Sequence, residues 1–248
     1  MAFSKIQHIA LDLLRNTETV EFNEWVNRER DRQNFEYLDL RGVDLAGLDL
    51  RGFRLTMVDF SNADLSGSDL SYSNMACSRF KYVNLENADL SHANLTVANF
   101  TGSNLTGARL KNSKIGTVYF HHTKMIGADF SNAILDHSEF VKTTGGWVNF
   151  SNASLKSALF KRSFFKSANF TLANLQDSEM IKVVLDMALF DKANIAGVTF
   201  YHAKMGGADI RRTIGSERAH FKLKAEDIDG LICNADQIIN KKKERSIA

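Results

Sequence analysis

Large apolar side chains recur at every fifth residue over most of the chain. Counting in fives from Phe35 to Ile210 gives Leu, Phe, Met or Ile at 35 of 36 positions, and only Gly145 departs from the rule. We call each of these positions i. A period of five matches neither the strand period of two nor the helical period of 3.6. The pattern therefore predicts a repeat architecture in which every unit makes the same turn.

The residues that precede position i follow a pattern as well. In NLENADLSHANLTVANFTGSNLTGARL, residues 84–110, position i−2 is usually Ala, Ser, Thr or Val, and position i−1 is often Asp or Asn. This resembles the pentapeptide-repeat family, whose motif is A-[D/N]-L-x-x, and residues 34–212 follow one phase of it. The resemblance implies an all-β solenoid, a right-handed quadrilateral β-helix in which four pentapeptides make one square coil with i and i−2 pointing inward. It implies no particular activity, because the family is functionally mixed.

Residues 20 apart would lie directly above one another in such a coil, and sorting by this period separates aromatic from aliphatic side chains. One column reads Leu40, Phe60, Phe80, Phe100, Phe120, Phe140, Phe160, Met180 and Phe200. The column on the opposite wall reads Leu50, Leu70, Leu90, Leu110, Phe130, Phe150, Phe170, Phe190 and Ile210. Because neighbouring rings can then pack in register, the sorting supports a 20-residue coil. We expect about nine coils, a solid rod about 43 Å long, with short helical caps at both ends.

The chain divides into three predicted segments. Residues 1–33 form an N-terminal helical cap, because apolar residues recur there at helical spacing: Ile6, Ile9, Leu13, Phe22, Trp25 and Val26. Residues 34–214 form the pentapeptide-repeat β-helix. The phase of five is lost at Gly215, so residues 215–248 form a C-terminal cap in which Asn234 opens a terminal helix.

Composition narrows the class of protein without indicating an activity. The 31 Lys and Arg nearly balance the 29 Asp and Glu, which leaves a net charge of +2 and no strong global field. The absence of proline suits a backbone whose N–H groups are nearly all used in ladders. Cys77 and Cys233 have neither metal nor disulfide spacing, and the first residues contain no apolar stretch long enough for a signal peptide. We therefore expect a bacterial cytoplasmic protein, with secretion by an uncleaved signal left open.

The sequence contains no catalytic constellation, and we expect no enzyme activity, no cofactor and no metal. The frequent Asp and Ser follow from the repeat, and no glycine-rich phosphate loop occurs. The small residues at i−2 leave no lumen for a substrate. His121 and His122 are adjacent, but only the distant His202 offers a third ligand. Two solvated histidines are therefore favoured over a metal site.

The outward position i−1 differs between the two halves of the chain. From Asn34 to Asn104 it is Asp or Asn in 13 of 15 repeats, whereas from Arg109 to Asp209 it is Asp or Asn in only 6 of 21. Apolar residues take its place at Ile134, Leu159, Phe164, Val184 and Leu189. Since a solenoid can keep its outward positions polar at no cost, several apolar side chains in one half indicate a contact surface.

The period of 20 places many of these departures on one wall and its preceding corner. Phe164 stacks on Val184, and Trp147 lies below Met187. Basic and aromatic residues lie along the corner that precedes this wall. The predicted partner-binding residues are Trp147, Leu159, Phe164, Val184, Met187, Leu189, His122, Lys142, Lys161, Arg162, Lys182 and Tyr201. Too few aromatic residues are present for a nucleic-acid platform, which leaves the basic side chains solvated or facing an acidic partner.

The missing large side chain at Gly145 lies beside this wall and leaves two alternatives for Trp147. Either Trp147 is exposed on the surface, or a bulge at Gly145–Gly146 lets it turn inward and fill the gap.

Three functions fit the sequence, which does not decide between them. The first is a non-enzymatic scaffold that binds a protein partner through the outer surface of its C-terminal half. The second follows from the resemblance, since some family members mimic B-form DNA and protect DNA gyrase from inhibitors; the 19 basic against 17 acidic residues of this solenoid disfavour it. The third is a bacterial effector delivered into host cells. We expect no membrane association and no direct nucleic-acid binding, and a homodimer, if formed, would use the C-terminal region.

Overall fold

The chain folds into a β-helix of about nine turns. The computed structural model describes residues 5–16, 19–31, 37–223 and 225–233. Parallel bridges join residues that lie 20 positions apart, and their register does not change along the repeat. This constant spacing follows from the sequence, because four five-residue units make each coil and no insertion interrupts them. The predicted 20-residue coil is confirmed.

Two α-helices precede the β-helix, and the strands are short. The helices are α1 (Lys5–Arg15) and α2 (Thr19–Asp31), with 3-10 helices at Ser216–Arg218 and Ala225–Ile228. The strands are β1 (Leu38–Asp39), β2 (Val58–Asp59), β3 (Glu139–Val141), β4 (Leu159–Lys161), β5 (Glu179–Ile181), β6 (Thr199–Tyr201) and β7 (His220–Lys222). Strand β1 pairs with β2, and β3 to β7 form one parallel sheet in chain order. Among the described helices, none is long and apolar enough to cross a membrane.

Side chains fill the interior of the coil. The large residue at every position i from Leu40 to Ile210 is at most 2% exposed, and most residues at i−2 are buried as well. Removing these apolar side chains from water is the main favourable contribution to folding. Because i and i−2 alternate with outward residues, the pleat of the strand alone determines which side chains form the core.

Aromatic rings line the two opposite walls that the sequence predicts. From Phe60 to Phe160, consecutive rings of one wall stack with centroids 4.6 to 5.4 Å apart. On the other wall the rings from Phe130 to Phe190 are 5.0 to 5.3 Å apart. Rings of the two walls also meet edge to face across the interior, as Phe120 does with Phe130 at 5.8 Å. Such offset and edge contacts stabilise the rod beyond the burial of area.

Helix α2 covers the N-terminal end of the rod. The ring of Phe22 packs 5.2 Å from that of Phe53 in the first complete coil. The backbone N–H of Arg54 donates to Asn23 Oδ1 at 2.7 Å, and Asn23 Nδ2 donates to the carbonyl oxygen of Gly52 at 3.3 Å. Asn23 thus supplies hydrogen bonds that a preceding coil would otherwise make, which protects the edge of the β-helix.

The ladder continues beyond Gly215 in a different register. Thr199 pairs with His220 and Asp209 pairs with Ile232, so paired residues lie farther apart in the chain here than in the repeat. The predicted loss of phase at Gly215 therefore corresponds to added residues in the loops. Gly215 has a φ of 72°, a left-handed conformation that glycine adopts without strain.

Two predicted features lie outside the described residues. They are the terminal helix that we expect from Asn234 onward and the first repeat position, Phe35. The predicted C-terminal dimer contact depends on that terminal helix and stays a prediction.

Candidate partner-binding surface

One wall of the β-helix carries a large part of the predicted binding surface. We call it the Phe164 wall, and in the C-terminal half it consists of residues 143–147, 163–167, 183–187 and 203–207. Its central outward column is aligned by parallel bridges that connect Thr144, Phe164, Val184 and Lys204. Adjacent coils lie about 4.8 Å apart in such a ladder, so side chains of one column are direct neighbours.

Apolar side chains of the Phe164 wall are exposed to solvent. Trp147 is 67% exposed, Met187 is 56% exposed and Phe164 is 42% exposed, while Val184 is half-buried. Trp147 and Met187 occupy the same turn position two coils apart, and both have positive φ angles, 56° and 61°. The wall therefore exposes apolar side chains in two columns, Phe164 and Val184 at mid-strand and Trp147 and Met187 at the following turn, where Ser167 separates them.

Trp147 does not fill the gap at Gly145, so the inward alternative is wrong. The backbone N–H of Trp147 donates to the carbonyl oxygen of Lys166 at 3.0 Å, and the N–H of Gly145 donates to that of Phe164 at 2.7 Å. These are the ordinary ladder bonds of the repeat, and they leave no bulge. A Cβ added at Gly145 would overlap the ring of Phe165, which occupies the missing volume.

Two consecutive phenylalanines lie above two consecutive glycines at this point. Phe165 points inward into the space above Gly145, and its ring lies 5.3 to 5.9 Å from three rings of the aromatic walls. Phe164 points outward, and its Cε1 lies 3.9 Å from the position that a Cβ would take on Gly146. The glycine pair thus accommodates one ring inside the coil and one ring on the surface.

Basic side chains follow the corner that precedes the Phe164 wall. We call Lys142, Lys161, Arg162 and Lys182 the cationic corner, and all four are exposed. Lys142, Arg162 and Lys182 occupy the same turn position in successive coils, with φ angles of 53° to 55°. The exposed His122 lies one coil before this column, and Tyr201 follows Lys161 and Ile181 in the neighbouring column.

The cations of this region have no acidic partner among the described residues. Six basic side chains lie within residues 141–147, 161–167, 181–187 and 201–207, and none has a carboxylate oxygen within 4.0 Å: Lys142, Lys161, Arg162, Lys166, Lys182 and Lys204. Asp186 is the one acidic residue in these ranges, and its Oδ1 accepts from the N–H of Gly206 at 2.8 Å. The local charge is therefore strongly positive.

Among the described residues, several arginines elsewhere on the rod pair with a carboxylate, whereas Arg162 does not. Arg41 donates to Asp39 at 2.7 Å, and Arg109 donates to Asp89 at 2.8 Å. The side-chain hydrogen bond from Arg41 holds the pKa of Asp39 below its usual range. Each of these pairs neutralises its own charges. No lysine on the described rod has a carboxylate oxygen within 4.0 Å, so the region beside the Phe164 wall is set apart by its six cations against one carboxylate.

Two predicted residues lie on other walls. Leu159 belongs to β4, where it is half-buried between Glu139 and Glu179 on the wall before the corner. Leu189 is 50% exposed on the following wall, where it lines a shallow pocket of about 190 Å³ together with Arg212. The structure therefore does not bring Leu159 and Leu189 onto the Phe164 wall.

The histidine pair is split between two environments. His121 Nε2 lies 2.8 Å from a carboxylate oxygen of Glu139, and its ring meets Tyr119 edge to face at 5.4 Å. His122 is exposed. The prediction of two solvated histidines is thus wrong for His121. In the part of the chain that the structure describes, no three His, Cys, Asp or Glu side chains converge into a metal site.

Sequence reasoning omitted two cations of this surface, Lys166 and Lys204. Lys204 continues the column of Phe164 and Val184, and Lys166 lies in the turn directly after Phe165. Both positions were available from the 20-residue period, which applies to basic residues as well as to apolar ones.

Comparisons with known proteins agree with this architecture. The model of pentapeptide repeats (8 copies) matches residues 39–75, and that of a pentapeptide repeat region matches residues 93–170. A search of curated proteins finds none that matches the chain.

A solved structure of low sequence identity shares the fold. HetL, a pentapeptide repeat protein involved in heterocyst differentiation regulation in the cyanobacterium Nostoc sp. strain PCC 7120, is 20% identical, covers 84% of this chain and 95% of its own, and has a TM-score of 0.53. QnrB1, a plasmid-mediated fluoroquinolone resistance protein, is 19% identical over 85% of this chain and 98% of its own, with a TM-score of 0.37, from which we infer nothing. The period of five, the 20-residue coil and the two family matches together show that residues 39–75 and 93–170 consist of pentapeptide repeats.

Proposed function

We propose that this protein is a non-enzymatic scaffold that binds a protein partner through the outer surface of its C-terminal half. The observation that supports the proposal is the Phe164 wall, where Trp147, Phe164 and Met187 are exposed beside cations that lack acidic partners. Exposed apolar side chains rimmed by polar residues are typical of protein-binding sites. Large aromatic side chains such as Trp147 are also the residues that contribute most to binding energy.

The rigid interior suits this role. The large side chains at position i are buried, and backbone hydrogen bonds run from coil to coil along the repeat. A surface that is already ordered before binding avoids much of the entropic cost of association. The filled interior also leaves no space inside the coil for a substrate, which favours binding over catalysis.

The double variant Phe164→Asp/Val184→Asp tests the proposal. It adds two carboxylates to the centre of the wall without touching the interior, so association with the partner, or with a second copy, should be lost while the circular dichroism spectrum is kept. Light scattering measures self-association. Quantitative affinity capture from the source cells measures binding to other proteins.

The single variant Ile134→Asp is the matched control. Ile134 occupies the same outward position of the repeat and is 47% exposed, but it lies on the opposite wall. Association should survive this change. If the double variant binds as well as the wild type, or if both variants lose binding equally, the Phe164 wall is not the binding surface.

Gyrase protection by DNA mimicry remains the second candidate, and surface charge disfavours it. A mimic of DNA needs a continuous negative surface, whereas residues 140–214 contain 10 Lys or Arg against 5 Asp or Glu. We therefore expect no rescue of gyrase supercoiling in the presence of a gyrase poison. Rescue by the wild-type protein would favour the gyrase function over the general scaffold.

A further inference from the structure

We propose that the partner contributes an acidic segment with apolar side chains, which lies along the rod axis over the Phe164 wall with its carboxylates at the cationic corner. The inference rests on the proposed function, that this wall binds a protein. It adds the chemistry of the bound segment and its orientation on the rod.

The first support is the uncompensated charge. Lys142, Arg162 and Lys182 repeat at one turn position, so their Cα atoms lie about 4.8 Å apart along the axis. Like charges on directly neighbouring strands repel one another. A bound segment that places a carboxylate every coil or two along this column would remove the repulsion and form ion pairs.

The choice of side chains at this turn is the second support. These three residues have φ angles of 53° to 55°, in the left-handed region that disfavours side chains with a Cβ. The same column has Gly or Asn in three of the first four coils: Gly42, Asn62 and Gly102, with Tyr82 as the exception. Left-handed φ angles recur at this turn position along the repeat, for example at Tyr72, Val97 and Leu172, so the corner differs in its side chains and not in its backbone. Long cations occupy three successive coils of a column in which earlier coils have Gly or Asn.

The third support is the order of columns across the wall. The cationic corner comes first, Phe164 and Val184 follow two residues later, and Trp147 and Met187 lie at the far turn. At about 3.3 Å per residue, the charged and apolar columns are roughly 7 Å apart. A segment with carboxylates on one side and apolar side chains on the other matches this order.

Nucleic acid and membrane fit the surface less well. Stacking of bases needs a series of aromatic platforms, but Trp147 and Phe164 are the aromatic side chains that this wall exposes. Insertion into a bilayer needs apolar side chains that project beyond the cations, whereas Val184 is half-buried and the long side chains of Arg162 and Lys182 beside it are exposed. An acidic protein segment with apolar side chains can pair with the cations and contact the exposed apolar residues, and it needs neither a series of aromatic platforms nor deep insertion.

Peptide binding to the full-length protein tests the inference. The probes are a synthetic peptide of alternating Glu and Leu or Phe, the same peptide with Lys in place of Glu, oligo(dT), and vesicles of phosphatidylserine and phosphatidylcholine. Trp147 is a built-in reporter, because it is exposed whereas Trp25 is buried. We expect the acidic peptide to shift the tryptophan emission and to bind at least about tenfold more tightly than the basic peptide, less so as salt is raised. Tighter binding of oligo(dT) or of the vesicles would overturn the inference.

Charge reversal at the corner gives the second comparison. Lys142→Glu/Arg162→Glu/Lys182→Glu should lower the affinity for the acidic peptide by about tenfold or more. The control Lys111→Glu/Lys114→Glu/Lys156→Glu carries the same charge change away from this wall and should leave binding within about twofold. Equal weakening by both variants would mean that only net charge matters, and no weakening by either would mean that the corner is not used. Either result overturns the acidic segment, and the proposed function still stands if Phe164→Asp/Val184→Asp abolishes association of the intact protein.

Discussion

The two halves of the rod share one pattern of inward positions and differ in the outward column that forms the centre of the Phe164 wall. In the N-terminal half, outward Asp and Asn side chains bond to one another from coil to coil; Asn84 Nδ2 donates to Asp64 at 3.1 Å, and Asn104 Nδ2 donates to Asn84 at 3.3 Å. In the C-terminal half, Phe164 and Val184 occupy the same outward position and make no such bonds. The contrast indicates that the fold is specified by i and i−2, while i−1 is free to vary.

The replacement of Asp or Asn by an apolar residue at i−1 also removes hydrogen bonds within the turn. Asp69 Oδ1 accepts the backbone N–H of Ser71 at 3.0 Å, and the same turn bond recurs through the N-terminal half. An apolar residue at i−1 cannot accept it. Each bond of this kind contributes about 0.5–1.5 kcal/mol, so the Phe164 wall gives up stability that the other half retains.

The largest expected effect comes from the one position i that lacks a large side chain, Gly145. Phe165→Ala empties the space beside Gly145 and should lower the free energy of unfolding by about 3–5 kcal/mol, because the cavity cannot close in a packed core. Denaturant unfolding followed by circular dichroism measures the loss. The compensating variant Gly145→Leu/Phe165→Leu restores the regular repeat and should lose far less. A Phe165→Ala loss no larger than that of a surface substitution would contradict the assigned packing.

A smaller effect of opposite sign is expected at the cationic corner. Lys142→Gly/Arg162→Gly/Lys182→Gly gives this column the glycine used at the same turn in earlier coils, which relieves left-handed strain and charge repulsion. Because glycine also gains entropy in the unfolded chain, the net stabilisation should be about 1 kcal/mol. The same variant should lose affinity for the acidic peptide. A clear drop in the melting temperature would show that these side chains stabilise the rod.

Changing the exterior of the Phe164 wall to that of the N-terminal half should hardly alter stability. Phe164→Asn/Val184→Asn keeps the interior and can restore the amide ladder. The restored hydrogen bonds should be offset by the lost partial burial of two apolar side chains, so the free energy of unfolding should change by less than about 0.5 kcal/mol. Thermal unfolding measures it. A loss as large as the one expected for Phe165→Ala would mean that these side chains belong to the core and are not a free exterior.

The smallest effect concerns pH. The backbone N–H of Ser66 donates to Asp64, and this bond holds the pKa of the carboxyl group below its usual value. Because the folded-state pKa is depressed, the stabilisation is present above the unfolded pKa and is lost as pH falls through the folded pKa. Asp64→Asn should therefore reduce the drop in melting temperature between pH 7 and pH 3, relative to the wild type. An unchanged or steeper drop would contradict the shift.

Much of this structure could be predicted because the repeat is so regular. The unbroken spacing from Leu40 to Ile210 determines which side chains point inward and which lie above one another in successive coils. The aromatic walls and the alignment of Phe164 with Val184 follow from that arithmetic alone.

The remainder depended on three-dimensional packing. The sequence around Gly145 contains two aromatic candidates for the empty space, Trp147 and Phe165, and their side-chain directions decide between them. The register beyond Gly215 could not be read either, because the large apolar residues no longer recur at a fixed interval there. The absence of acidic partners for the cationic corner depends on distances between walls, which no linear pattern contains.

The hydrogen bonds of Asn23 have a consequence for how the protein is made. Helix α2 leaves the ribosome before any coil does, and it already presents an acceptor and a donor for the first strand edge. Each later coil needs only the preceding one as a template, since its bridges reach back by a single coil. The rod can therefore fold in the direction of translation, one coil at a time. At each stage only the strand edge of the most recently folded coil is unpaired and able to pair wrongly.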